Sequence, residues 1–198
     1  MEIDLLHLGY GRILRALSAS AFEVITMRHV ISILMANEAG ALVRVAGLFS
    51  QRGFNIETLN VGPTEDPTMS RLTLVTWGTE NVIEQINRQL LKLVDVIDVL
   101  DMTGDEHMEY ELALIKVQRE ASASPVETMA AGFDVRVISE EDGLTLLRFL
   151  GSGDELNRFV AVLEDAGMLV ELARSGAVTM TPGTGGLRYH AEDEQAEA

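Results

Sequence analysis

The fold is decided by residues 27–59, which read MRHVISILMANEAGALVRVAGLFSQRGFNIETL. The apolar, β-branched run 29–35 is typical of a buried strand. The polar turn Asn37–Gly40 follows, and the pattern from Gly40 to Arg52 then predicts an amphipathic helix. Its apolar positions recur at i, i+3, i+4 and i+7, namely Leu42, Val45, Ala46 and Phe49.

Gly53 is placed to end this helix, because glycine readily adopts the left-handed conformation that follows a helix. Further strands are predicted over 54–61, 69–77 and 94–100, and a second helix begins at Thr79. The order β-α-β-β-α-β folds as a four-stranded antiparallel sheet with two helices on one face.

The same order is predicted a second time after an acidic link. Strands are expected over 110–118, 133–139, 144–150, 169–173 and 177–181, with a weak helix over 124–131. Asp142-Gly143 lies in a hairpin signal, and Ser152-Gly-Asp-Glu155 is a capping box that starts another helix, which Gly167 stops. The predicted fold class is therefore α+β, with two ferredoxin-like domains.

These patterns divide the chain into five segments. Residues 1–26 are expected to be a leader outside the fold, because their possible short helix lacks a partner motif; their acids fit neither a secretory signal nor a transit peptide. Residues 27–102 form the first domain, 103–109 a linker and 110–182 the second domain. Residues 183–198 are expected to be a disordered acidic tail.

Charge and composition exclude several classes of function. The net charge of −16 repels phosphate backbones, so no nucleic-acid partner is expected. No apolar stretch approaches the roughly 20 residues that span a bilayer, which predicts a soluble, cytoplasmic protein without a membrane partner. The chain has no cysteine and only four scattered histidines, so no metal site is expected. The carboxylate clusters lie in turns or linkers and no nucleophile motif is present, which argues against an enzyme.

The turn Asn37–Gly40 is the strongest candidate binding site. A helix start offers free N–H groups and a positive dipole end, which suit a small carboxylate ligand. The structural alternative is that Asn37 only caps the helix or shapes the turn. Asn55, at the start of the next strand, is by itself a turn residue. If two copies paired edge to edge, the turn of one would approach the strand start of the other.

Long motifs in the right order then resemble a known family. In the first domain they are Asn37-Glu-Ala-Gly-Ala-Leu-Val-Arg-Val, Gly47-Leu-Phe-Ser-Gln-Arg-Gly-Phe-Asn-Ile-Glu, Pro63-Thr-Glu-Asp-Pro-Thr-Met-Ser-Arg71 and Gln89-Leu-Leu-Lys-Leu-Val-Asp95. In the second they are Glu111-Leu-Ala-Leu-Ile-Lys-Val and Glu171-Leu-Ala-Arg-Ser-Gly176. The chain resembles the small regulatory subunits of acetolactate synthase (acetohydroxyacid synthase), whose first domain is an ACT domain.

The resemblance implies a non-catalytic subunit without a cofactor of its own. It implies a large catalytic partner that carries thiamine diphosphate, Mg²⁺ and FAD, and a role in branched-chain amino-acid biosynthesis through activation and feedback inhibition by valine. It also implies an ACT homodimer that binds the effector through Asn37, Gly40, Ala41 and Leu42 of one copy and Asn55 and Ile56 of the other. An ACT-domain sensor that regulates a different enzyme is the alternative.

Overall fold

The computed structural model describes residues 26–104, 106–118, 126–183 and 186–187. The first unit has the predicted order, with β1 (Met27–Ala36), α1 (Ala41–Gln51), β2 (Ile56–Pro63), β3 (Met69–Gly78), α2 (Glu80–Leu90) and β4 (Val96–Asp101). Its sheet has the antiparallel order β2-β3-β1-β4, so β2 and β4 are edge strands. This order confirms the ferredoxin-like fold.

Both helices of this unit cover the same face of the sheet. Ile31, Ile33, Leu72 and Leu74 point from the central strands into an aliphatic core. The helices contribute Val45, Phe49, Ile83, Ile86 and Leu90 to it. Leu72 and Leu74 lie on the opposite face from Arg71 and Thr73, as strand alternation requires.

The predicted apolar face of α1 was partly wrong. Its buried positions are Ala41, Val45, Leu48 and Phe49. Leu42 is 37% exposed and Ala46 is only partly buried, so both lie on a flank of the helix. The buried set recurs at i, i+4, i+7 and i+8, which is also a helical period, and only packing against the sheet decides between the two sets.

The second unit repeats this topology with a shorter first helix. Its elements are β5 (Met108–Gln118), α3 (Val126–Met129), β6 (Asp134–Glu141), β7 (Leu144–Gly151), α4 (Gly153–Asp165), β8 (Leu169–Arg174) and β9 (Val178–Met180). The strand order is β6-β7-β5-β8, and β9 pairs with the first residues of β5. The core contains a cluster of three phenylalanines, Phe133, Phe149 and Phe159, with ring centroids 5.2–6.3 Å apart.

Local signals in the sequence are confirmed at several turns. Ser152 and Glu155 form the reciprocal capping box of α4, in which the Ser152 hydroxyl accepts from the Glu155 N–H. Asp142 and Gly143 both have positive φ values, of 53° and 77°, as a two-residue hairpin turn requires. Gly53 follows α1 with a φ of 72°.

The outer face of the first sheet is covered by the second unit. Val30, Val75 and Met102 pack with Ala177, while the buried hydroxyls of Ser32 and Thr179 are 3.0 Å apart. Further contacts across this seam are the bidentate pair of Arg28 with Glu109 and the hydrogen bond from Asn60 Nδ2 to the Ser175 carbonyl. The two units are therefore packed against each other.

The ends of the chain are only partly described. The expected leader lies outside the described residues, except for Thr26. Of the expected tail, Gly183, Gly186 and Leu187 are described. Leu187 is buried against Leu34 and Met69 on the outer face of the first sheet.

Candidate functional site at the start of helix α1

The turn between β1 and α1 is tied to the loop that precedes β3. The Asn37 N–H donates to the Thr68 carbonyl at 2.7 Å. The side-chain Nδ2 of Asn37 donates to the Pro67 carbonyl at 3.0 Å, while Asn37 itself stays exposed. Asn37 therefore holds the turn to the neighbouring loop and is not the N-cap of α1, which is Gly40.

The start of α1 has no side-chain cap. Gly40 lies in the left-handed region with a φ of 92°, and the first turn contains no acidic residue. The Ala41 N–H donates to the Glu38 carbonyl at 3.2 Å, and the Arg44 N–H donates to the Gly40 carbonyl at 3.0 Å. The Leu42 and Val43 N–H groups lie in the first turn, where a helix supplies no acceptor of its own. The positive end of the helix dipole is thus available to an anion.

An ion pair forms one wall of this turn. Arg44 contacts both carboxylate oxygens of Asp95, with its Nη2 2.8 Å from Oδ1. These hydrogen bonds lower the pKa of Asp95 and raise the pKa of Arg44. A Cβ on Gly40 would lie 3.0 Å from Arg44 Nη1. Gly40 is therefore favoured by its positive φ, and a side chain there would displace the end of the Arg44 side chain.

The other two predicted contact residues lie at the start of β2. Asn55 is exposed, and its carbonyl accepts a hydrogen bond from Thr76 Oγ1 at 2.7 Å. Ile56 is partly buried against the core and pairs with Thr76. Because β2 is an edge strand, its outer backbone edge is not covered by the sheet.

Within one chain these two groups of residues do not meet. The Asn37 turn bonds to Thr68 at one end of β3, whereas Asn55 and Ile56 meet Thr76 near the other end. Eight residues of strand separate these positions, which corresponds to roughly 26 Å. A small amino acid cannot bridge that distance, so the two groups of predicted contact residues lie at opposite ends of one sheet.

The predicted contact residues also differ in what they can offer a ligand. The Ala41 side chain is buried in the core, so it can present only its backbone. Leu42 exposes 37% of its surface beside the helix start. The Arg44–Asp95 pair was missed from the sequence because its members are 51 residues apart, and only the tertiary fold joins them.

Two further properties of the described residues bear on function. No three of their histidine and acidic side chains cluster closely enough to hold a metal ion. None of the helices found among these residues has the length and apolarity needed to cross a membrane.

Comparison with known proteins places the chain in a family. Residues 31–98 match the model of the AHAS small subunit-like ACT domain, and residues 110–183 match that of the small subunit of acetolactate synthase. The chain is 45% identical over 158 residues to the acetolactate synthase isozyme 3 small subunit of Salmonella typhimurium, covering 79% of this chain and 97% of that protein.

More distant relatives give the same result. The acetolactate synthase small subunit of Mycobacterium leprae is 41% identical over 160 residues, which cover 80% of this chain and 94% of that one. The crystal structure of the acetolactate synthase small subunit from Thermotoga maritima superposes with a TM-score of 0.71 at 31% identity, covering 80% of this chain and 99% of the other. The chain therefore belongs to the acetolactate synthase small-subunit family.

Proposed function

We propose that this chain is the non-catalytic regulatory subunit of acetolactate synthase. It binds the large catalytic subunit, which carries thiamine diphosphate, Mg²⁺ and FAD, and it raises the activity of that subunit in the cytoplasm. When valine accumulates, the chain binds valine and lowers the activity of the complex. The names of its relatives support the assignment to this enzyme, and the start of α1 supports the binding of a small acid.

The effector-site proposal is supported by where the Asn37–Gly40 turn and Asn55 lie relative to the free edge of β2. In an antiparallel pair of β2 strands from two copies, the start of one strand faces the end of the other. The end of β2, at Pro63, pairs with Ser70 close to the Asn37 turn. A symmetric dimer through β2 would therefore bring Asn55 of one copy to the Asn37–Gly40 turn of the other.

Such a site has the chemistry to recognise a branched amino acid. The ligand carboxylate would accept hydrogen bonds from the Leu42 and Val43 N–H groups at the positive end of α1. The side-chain carbonyl of Asn55 would accept from the ligand ammonium. Leu42 and the partly buried Ile56 would contact the aliphatic side chain. Binding of valine to the dimer biases the catalytic partner only if the valine affinity differs between its active and inactive states.

The test is the substitution Gly40→Asp, which places a carboxylate where the effector carboxylate would bind. We expect reconstituted holoenzyme with this variant to keep its activation but to lose valine inhibition. The measurement is acetolactate formation by the catalytic subunit with and without the chain, titrated with valine, leucine and isoleucine.

The matched control separates backbone strain from the loss of the site. Gly167 also has a positive φ, of 67°, and a Cβ there would meet no atom within 4 Å. Gly167→Asp adds the same charge at another glycine of positive φ in the second unit, and we expect it to retain valine inhibition. Unchanged valine sensitivity of Gly40→Asp would reject the site, and a chain that does not change acetolactate formation would reject the function.

A further inference from the structure

A cationic groove runs along one flank of α1 and reaches the connection that follows α2. Its volume is about 770 Å³. Along α1 it is lined by Arg44, Gly47, Gln51 and Arg52, and on the other side by Gln89 and Lys92. Three of the described residues that line it are cations, and none of the described residues that line it is an acid.

This concentration of positive charge is unusual in a chain with 31 acidic and 15 basic residues. Elsewhere in the described part of the chain, cations commonly face a carboxylate, as in Arg28 with Glu109 or Arg174 with Glu111. In the groove only Arg44 does so, through Asp95. Both remaining cations are therefore available for a partner.

The two available cations are Arg52 and Lys92, and both are exposed. Arg52 donates from Nη1 to the Leu48 carbonyl at 3.2 Å, a bond that leaves its charge uncompensated. The side-chain ammonium of Lys92 forms neither a hydrogen bond nor an ion pair with the described residues, while its backbone N–H donates to the Gln89 carbonyl at 3.1 Å. Two neighbouring cations that face no carboxylate, in a strongly negative molecule, are suited to binding an anionic partner.

The floor of the groove contains a glycine for which the fold gives no reason. Gly47 lies inside α1, where glycine is unfavourable relative to alanine. A Cβ at this position would meet no atom within 4 Å, and the φ of Gly47 is not left-handed. The missing side chain leaves the helix backbone open to the groove, which allows another chain to approach closely.

The groove and Leu42, a proposed effector contact, lie on opposite flanks of α1. Leu42, Ala46 and Ser50 recur at i, i+4 and i+8 and form one flank. Arg44 is two residues after Leu42, which places it about 160° away around the helix axis. An effector bound beside Leu42 therefore leaves the Arg44 side of α1 accessible.

We propose that this groove docks an acidic segment of the large catalytic subunit, an inference that rests on the proposed function. Carboxylates of that segment pair with Arg52 and Lys92. The side-chain amides of Gln51 and Gln89 provide hydrogen bonds to its backbone, which passes over Gly47. Docking here connects the partner to α1, the helix whose first turn receives the effector.

The experiment compares two full-length variants with the same change in charge. Arg52→Glu/Lys92→Glu reverses the two groove cations, and Arg88→Glu/Arg158→Glu reverses two exposed cations that do not line the groove. The dissociation constant for the catalytic subunit is measured at 50 and 300 mM NaCl. We expect the groove variant to bind at least about tenfold more weakly at low salt and to lose much of the salt dependence. The control variant should bind like the wild type, and both should bind valine normally.

Four outcomes would overturn the proposal. If the groove variant associates with the wild-type dissociation constant while the wild type activates normally, the groove is not the docking surface and the proposed function stands. Equally weakened binding of the catalytic subunit by both variants would show that the effect comes only from the net charge of the chain. A wild-type chain that does not associate with the catalytic subunit would overturn the proposed function as well. Binding of an RNA oligonucleotide that is lost in the groove variant, without an effect on the subunit, would assign the groove to a different partner.

Discussion

The two units of this protein share a topology but differ in the helix that follows the first strand. In the first unit α1 has 11 residues, whereas at the corresponding place in the second unit the described residues include only four in α3. A single helical turn has no long stack of aligned peptides to build a dipole. The same sheet order is therefore followed in the first unit by a long helix with an uncapped start, and the topology alone does not supply the candidate site.

The longer helices differ in how their first N–H groups are satisfied. The start of α4 is closed by the capping box of Ser152 and Glu155, with Asp154 as a second acid in the first turn. The start of α1 has Gly40, no side-chain cap and no acid. One helix start is satisfied by its own side chains, while the other remains open to a ligand.

The largest expected effect tests the difference between the two cores. Phe159 is fully buried in a cluster of three phenylalanines, whereas Phe49 is fully buried among aliphatic side chains. Replacing either residue with alanine should cost about 3–5 kcal/mol of unfolding free energy. Phe159→Ala should cost roughly 1 kcal/mol more, because it also removes aromatic contacts. Urea unfolding monitored by circular dichroism measures both, and an equal or larger loss in Phe49→Ala would contradict the comparison.

A smaller effect is expected at the closed helix start. Ser152→Ala removes the hydroxyl that accepts from the Glu155 N–H, which should cost about 1 kcal/mol of unfolding free energy. Because α4 lies outside the proposed effector site, valine inhibition of the reconstituted enzyme should not change. Unfolding and valine inhibition are measured for both this variant and Gly40→Asp, which compares the closed start of α4 with the open start of α1. Loss of valine inhibition in Ser152→Ala would show that both helix starts act on the effector.

The smallest effect is confined to acid pH. Hydrogen bonds from Arg44 lower the pKa of Asp95, and those from Ser152 lower the pKa of Glu155. Carboxyls with a lowered folded-state pKa stabilise the protein above their unfolded pKa, and this contribution is lost as the pH falls through the folded pKa.

The unfolded-state values are close to 3.8 for Asp95 and 4.5 for Glu155, so the loss should begin at a higher pH for Glu155. The stability advantage of the wild type over Asp95→Asn and over Glu155→Gln should therefore shrink below these pH values. The midpoints of urea unfolding of the wild type and the two variants at pH 7, 4 and 3 measure this change. A stability advantage of the wild type that stays constant down to pH 3 would contradict the lowered pKa values of Asp95 and Glu155.

Features set by near neighbours were predictable from the sequence. The capping box of α4, the Asp142-Gly143 hairpin and the end of α1 at Gly53 depend on a few adjacent residues. The bounds of β2 were less accurate, since it begins at Ile56 rather than Phe54 and continues to Pro63. The Phe54 N–H bonds back to the Phe49 carbonyl, which keeps Phe54 at the helix end. Proline is accepted in β2 because an edge strand has one unpaired side.

Features set by distant neighbours were not predictable. The orientation of α1, with Leu42 on a flank and Leu48 in the core, depends on how the helix lies on the sheet. The contact of Ser32 with Thr179 joins residues 147 apart. Neither residue carries a local signal for this contact, because a hydroxyl on a strand is equally compatible with solvent.

The sequence by itself predicted the order of elements, the family and the residues of the candidate site, because periodicity, turn chemistry and motifs depend on residues that are close together in the sequence. Only the tertiary structure decided that Asn37 and Asn55 lie at opposite ends of one sheet. It also decided that Arg44 and Asp95 pair beside Gly40 and that a cationic groove, which Arg44 also lines, follows α1. The physical reason is that strand pairing and helix packing set distances between residues that are far apart in the chain.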